Sequence, residues 1–183
     1  WGEYLPGWHP WEDYTHGYAA RPDLGGGVVL TLSHPLDYLR WLLGEVDNLW
    51  AFTSNRGLSM AVEDTAEIGL RFTSGCLGSL HLDYNQRPPS HTLEITGSQG
   101  RILWDNTDGA ARLYQAEGSL EWQIVTPPED FERNWLFMEE LRHFLAVMRG
   151  ETLPHCTFDD GVQALRLSLG VLESADKGIR LNL

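Results

Sequence analysis

His34 and Asp37 stand three positions apart in an otherwise apolar stretch, Gly25–Gly44, of sequence GGGVVLTLSHPLDYLRWLLG. At about 100° per residue on a helix, Thr31, His34, Asp37, Tyr38 and Trp41 share one stripe, and Val28, Leu32, Leu36, Leu39 and Leu43 share another. The second stripe is an ordinary core face. The first carries an ionisable pair on a segment too apolar for a solvated surface helix. An imidazole suits proton transfer near neutral pH, and a carboxylate one turn away could orient it. A structural histidine with a satisfied ring would leave the same pattern, so the residues alone leave both readings open. Pro35 removes the N–H that would bond back to Thr31. Either the helix kinks there, or it restarts with Ser33 or His34 as cap and Asp37 in its first turn.

The elements around this stretch must position it. Residues 1–24 hold Trp1, Tyr4, Trp8, Trp11, Tyr14 and Tyr18, interrupted by Pro6, Pro10 and Pro22. This predicts loop and short helical turns. The rings suit a cleft wall that packs on sugar C–H faces, or a loop stapled to the core. His9 and His16 read as surface residues. The chain opens on Trp1 in dense aromatic sequence, which predicts that further sequence precedes it.

After Gly44 the period changes to two. Residues 46–54, 63–73, 76–85, 91–97, 101–105, 111–115 and 120–125 read as strands joined by short turns, hence antiparallel neighbours. Ala66, Ile68, Leu70 and Phe72 alternate on one face, as do Leu80, Leu82 and Tyr84. Residues 130–149 read as a helix with Trp135, Met138, Leu141, Leu145 and Met148 inward. Thr157 with Asp160 opens a second helix, with Val162, Leu165, Leu169 and Leu172 inward, and residues 179–181 form an edge strand. The fold class is therefore α+β: a large, mostly antiparallel open sheet with helices packed on one face. The chain forms one domain over 1–183: an aromatic loop region 1–24, the glycine-run helix 25–44, the sheet 46–125, and closing helices and strand 130–183. Trp50, Phe52, Leu77 and Trp104 exceed what one core face needs. They predict a homo-oligomer interface on the sheet, or a face covered by another domain.

The formal charge of −13 argues against nucleic acid and anionic membranes as partners. No apolar run approaches a membrane span. Cys76 and Cys156 have no paired spacing, which suggests a reduced, cytoplasmic setting and no disulfide framework. His34, His81 and the acidic residues lack metal-ligand spacing, so no metal is expected.

The stretch GGGVVLTLSHPLDYLRWLLGEV resembles the segment opening the C-terminal domain of the Gfo/Idh/MocA oxidoreductases: a glycine run, an acidic residue, H-x-x-D and W-L-x-G. EDTAEIGLRFTSGCLGSLHLDY, LEITGSQGRILWD and TFDDGVQALRLSLGVLESADKGIRLNL are similar to the later strands, closing helix and final strand of that domain. The resemblance implies a parent with an N-terminal Rossmann domain, absent from this sequence, that binds most of the NAD or NADP. A lysine of a Glu-Lys-Pro segment would also belong to the missing half. This chain would be the substrate-binding and oligomerisation domain of an NAD(P)-dependent dehydrogenase acting on a sugar, sugar derivative or polyol, inactive alone. His34 matches the family's catalytic histidine, a general acid/base. Asp37 matches the D of H-x-x-D and would orient the ring or bind substrate. Thr31 stands where the family has its acidic residue; it could bind a substrate hydroxyl but not hold charge. Tyr14, Tyr18 and Arg21 fall where the family walls its substrate pocket. The alternative is a carbohydrate-binding or scaffold module that has lost redox chemistry, with Thr31 as its sign.

Overall fold

Alternation of apolar and polar residues produces the strands, and glycine and proline punctuate them. The computed structural model describes residues 1–118 and 120–183. In chain order the elements are β1 (Gly2–Tyr4), single 3₁₀ turns through Leu24, α1 (Val28–Thr31), α2 (His34–Leu43), β2 (Val46–Ser54), β3 (Thr65–Phe72), β4 (Leu77–Asp83), β5 (Asn85–Ser90), β6 (Thr92–Gly97), β7 (Gly100–Asp105), β8 (Ala111–Gln115), β9 (Trp122–Val125), α3 (Asn134–Met148), α4 (Phe158–Lys177) and β10 (Leu181–Asn182). They form two compact units, residues 1–90 with 159–183, and residues 91–158.

In the first unit six strands run in the order β10-β2-β3-β4-β1-β5. The β1/β4 pair is parallel; its other pairs are antiparallel. Ala66, Ile68, Leu70 and Phe72 are buried with their neighbours Leu49, Ala51, Leu80 and Leu82, and Tyr84 beyond β4 is buried too. This is the alternation the sequence carries. The opposite face leaves Trp50, Phe52 and Leu77 exposed, the latter two at 69% and 72%.

Val28, Leu32, Leu36 and Leu39 are buried as their period predicts. At Pro35 the chain takes the second of the two courses open to it. α1 stops at Thr31, Leu32 leaves the helix at φ −94°, ψ 42°, and α2 begins at His34 with Pro35 in its first turn. That position has no helical hydrogen bond to lose.

α4 corrects the expected stripe. Leu167, Ser168, Gly170, Val171 and Ser174 are its buried residues, whereas Leu165 and Leu169 are exposed. Small and hydroxylated residues allow the closer approach. A Cβ on Gly170 would lie 3.2 Å from Leu181 and 3.3 Å from Leu183. Ser174 Oγ accepts from the Ala51 N–H at 3.0 Å and donates to the Ile179 carbonyl at 2.6 Å, so its burial leaves no polar group unmet. Arg40 of α2 donates to Asp160 of α4 at 2.9 Å and to Glu45 at 2.9 Å, which ties the two helices together.

In the second unit β6-β7-β8-β9 form an antiparallel meander. The strands thus divide between two sheets, because β5 pairs with β1 and not with β6. β1 and β5 are too short or too proline-rich to read as strands in sequence. Among the described residues of this unit, Ala110 is the one buried apolar side chain. Trp135, Met138, Leu141, Leu145 and Met148 of α3, expected inward, are exposed. Periodicity identifies the face that needs cover; it does not supply the cover.

Candidate functional site

The glycine run begins the site. Its N–H groups are all engaged: Gly25 to the Pro22 carbonyl at 3.2 Å, Gly26 to Arg21 at 2.8 Å, and Gly27 to Ala19 at 2.9 Å. Val28 N–H donates to the Glu63 carbonyl at 3.0 Å, and Val29 N–H donates to Glu63 Oε1 at 3.1 Å. Gly27 has φ +109°, and a Cβ there would lie 2.2 Å from Glu63 Oε1. Only glycine fits both demands. Burial pushes the Glu63 carboxyl above its usual range. These residues do not fit the phosphates of a dinucleotide, which need free N–H groups and no carboxylate beside them. The run is a packing device.

Thr31 ends α1 with its Oγ1 buried and without a hydrogen bond of good geometry. The Tyr84 hydroxyl is near enough to interact with it, but donates to the Gly27 carbonyl at 3.2 Å. Tyr84 is wholly buried, and this drives its phenol well above the ordinary range; the Thr31 hydroxyl offsets part of the effect. Trp8 meets the Tyr84 ring edge-on at 5.7 Å.

His34 is exposed at the first position of α2. Its ring stacks on Trp1, centroids 5.9 Å apart and planes 23° from parallel. β4 holds Trp1 there: the Trp1 nitrogen donates to the His81 carbonyl at 2.8 Å, and the Trp1 carbonyl accepts from Asp83 N–H at 3.1 Å. Asp37 is half-buried in the first turn of α2. Among the described residues, no hydrogen bond joins it to His34. At the next residue, burial pushes the Tyr38 phenol up to about 12.

The aromatic loop is anchored as much as it is open. Asp64, buried, accepts from the N–H groups of Gly57 at 2.7 Å and Leu58 at 2.8 Å and from the Thr65 hydroxyl at 2.9 Å. The loop it shapes presents Ser59, whose N–H donates to the Tyr14 hydroxyl at 3.2 Å. Tyr18 is exposed, with its backbone against Gly26 and its phenol within electrostatic reach of Tyr84. Arg21 pairs with Asp23 of its own turn, Nε to Oδ1 at 3.0 Å. The structure therefore sets Thr31 beside Tyr84 and His34 beside Trp1, with Tyr18 within electrostatic reach of Tyr84; Arg21 faces its own partner.

Glu63 is not singled out in sequence, Tyr84 reads only as part of a strand's alternating face, and Trp1 only as one ring of the aromatic opening. The one signal is the Glu63-Asp64 pair, two carboxylates heading an apolar strand and both turned inward. A cavity of about 440 Å³, lined by Arg40, Asp47, Asp159 and Arg166 among others, contains none of the predicted site residues. Among the described residues, no group of three or more His, Cys, Asp or Glu side chains is placed to hold a metal. No described helix is long and apolar enough to cross a membrane.

The fold is that of dehydrogenase C-terminal regions. The chain superposes on the WlbA dehydrogenase from Bordetella pertussis, solved with NADH and UDP-GlcNAcA, at TM-score 0.66 and 25% identity, covering 86% of this chain and 45% of that one. It superposes on a levoglucosan dehydrogenase, solved with NADH and levoglucosan, at TM-score 0.82 and 20% identity, covering 91% and 53%. Residues 3–103, more than half of the chain, match the GFO/IDH/MocA C-terminal domain, and the chain belongs to that family. Among relatives, it is 29% identical over 158 residues to the D-apiose dehydrogenase of Paraburkholderia graminis, covering 79% of this chain and 41% of that protein. It is 28% identical over 167 residues to the myo-inositol 2-dehydrogenase of Thermotoga maritima, covering 84% and 48%. The chain thus spans less than half the length of these two relatives.

Proposed function

We propose that this chain is the substrate-binding and oligomerisation domain of a dehydrogenase that oxidises a hydroxyl of a sugar, sugar derivative or polyol with NAD or NADP. The carrying observation is the His34 imidazole, presented at a helix start beside the Trp1 ring, three residues beyond Thr31, which ends α1 with its hydroxyl buried. The relatives' names supply the chemical class. The nicotinamide cofactor belongs to a part of the protein outside this chain, since the glycine run here has neither free donors nor room for phosphate. This chain's share is the sugar and the proton. His34 takes the hydroxyl proton as the carbonyl forms and returns it in the reverse direction. Asp37 orients substrate or ring. The Thr31 hydroxyl, buried in this structure, would meet a substrate oxygen once the pocket opens on binding, and Tyr14, Tyr18 and Arg21 line the approach. Cys76 and Cys156 are both exposed, and the compartment this reading assigns is a reducing, cytoplasmic one.

The direct test is the full-length protein with NAD⁺ or NADP⁺ and a panel containing D-apiose, myo-inositol and levoglucosan, followed by NAD(P)H absorbance. Turnover of any one supports the reading. Sugar binding by calorimetry, without turnover and indifferent to nucleotide, would instead select a binding module that has lost redox chemistry.

Thr31→Val keeps the side-chain shape and removes the hydroxyl. Stability is expected to stay within about 1 kcal/mol of wild type, because the buried hydroxyl meets only a poorly aligned partner in Tyr84. The sugar KM is expected to rise. An unchanged KM removes Thr31 from the substrate contacts.

The exposed Trp50–Phe52 pair, edge to face at 5.3 Å, is the centre of the proposed sheet interface. Phe52→Lys is expected to shift the protein to a smaller species in light scattering with its circular dichroism unchanged. No shift would move the interface elsewhere.

A further inference from the structure

We propose that Glu63 is a positioning residue for His34: it holds the start of α1, and through that single helical turn it sets where Thr31 and His34 stand. The inference rests on the enzymatic reading above. α1 has only four residues, too few to persist by its own hydrogen bonds. Its internal bonds are Thr31 N–H to the Gly27 carbonyl at 3.1 Å and Leu32 N–H to the Val28 carbonyl at 2.9 Å. External groups therefore hold it in place. At its beginning, Glu63 takes two of the otherwise unpaired N–H groups, one on its own carbonyl and one on its carboxylate. The same carboxylate lies against the α-carbon of Gly27, where no larger residue fits. The Gly27 carbonyl is fixed in turn by the Tyr84 hydroxyl.

From this clamp the path to His34 is short and has little slack. Val28, Val29 and Leu32 are buried, and His34 follows Leu32 by two residues. Pro35 is buried as well; its ring fixes its own φ and restricts the backbone of the histidine before it. A shift at the start of α1 has few torsions in which to dissipate before it reaches the imidazole. The geometry uses Glu63 as an acceptor with a given reach: its Oε1 bonds Val29 N–H, and burial already works against its charge. A glutamine can make the same bond; an aspartate is one methylene too short.

The test uses the full-length protein carrying Glu63→Ala, Glu63→Asp or Glu63→Gln. Kinetics are measured with NAD⁺ or NADP⁺ and whichever of D-apiose, myo-inositol and levoglucosan the wild type oxidises. Hydrogen exchange at the Val28 and Val29 amides is followed in parallel. The alanine and aspartate variants are expected to lose about 10²-fold in kcat, the scale of a reacting group misplaced by about an ångström. The sugar and cofactor KM values should change little, and Val29 exchange should accelerate. Glu63→Gln should restore both kcat and protection. If alanine does not fold, the aspartate variant carries the comparison. A folded Glu63→Asp or Glu63→Ala protein with wild-type kcat overturns the role, as does a glutamine variant as impaired as the aspartate one. A wild type that turns over none of the three sugars fails the enzymatic reading and this role with it. An active wild type with indifferent variants fails the Glu63 role alone.

Discussion

Replacing His34 by alanine in the full-length protein is expected to lower sugar or polyol turnover by about 10²–10⁴-fold, the range for removing a general acid/base. Cofactor affinity should stay unchanged, because the glycine run of this chain spends its N–H groups on the Pro22, Arg21 and Ala19 carbonyls. The fold should also survive. His34 is exposed, and Pro35 with the buried Leu36 and Leu39 holds α2 without it. The experiment therefore separates chemistry from structure: stopped-flow nucleotide binding and thermal melting like those of wild type, with turnover lost. Turnover at the wild-type rate would remove His34 from the reaction. Equal losses of turnover and nucleotide binding would mean that the substitution had disturbed more than the proton.

Tyr84→Ala is expected to carry the largest effect on stability, about 3–5 kcal/mol, as for other large aromatic side chains deleted from a core. Three roles end together. The ring is wholly buried, it receives the edge of Trp8, and its hydroxyl holds the Gly27 carbonyl. Tyr84→Phe isolates the last of these and should cost about 1 kcal/mol. Denaturant unfolding of the two variants divides packing from hydrogen bonding. A loss in Tyr84→Ala no greater than in Tyr84→Phe would show that the ring is not the keystone between the aromatic loop and the sheet. Because the Gly27 carbonyl also accepts from Thr31 N–H, Tyr84→Phe should loosen the end of α1 as well.

Much of this was legible in the residues. The alternation in 46–54 and 63–73 specifies β2 and β3, and Ala66, Ile68, Leu70 and Phe72 mark the buried face of β3, because a period of two admits one register per face. The stripe Val28, Leu32, Leu36, Leu39 specifies the buried side of the glycine-run segment, and with it the outward placing of His34. Pro35 limits the backbone there to two courses. The family segment selects His34, Asp37 and Thr31 as the residues to examine.

Tertiary structure decided the rest. Which side of α4 is buried follows from Gly170 and Ser174 approaching β2 and β10, a matter of steric fit that hydrophobicity ranks below Val162, Leu165, Leu169 and Leu172. The sheet divides in two because β5 turns back to pair with β1, a long-range choice between edges that local pattern does not encode. Glu63 and Tyr84 meet the glycine run from 34 and 57 residues away in sequence. Their part in the site lies in hydrogen bonds between segments that only folding brings together. By itself the sequence determined the strands other than β1 and β5, the apolar stripe and the candidate histidine, since these depend on short-range periodicity and residue chemistry. The support beneath that histidine depends on distances between remote residues, and only the folded chain contains those.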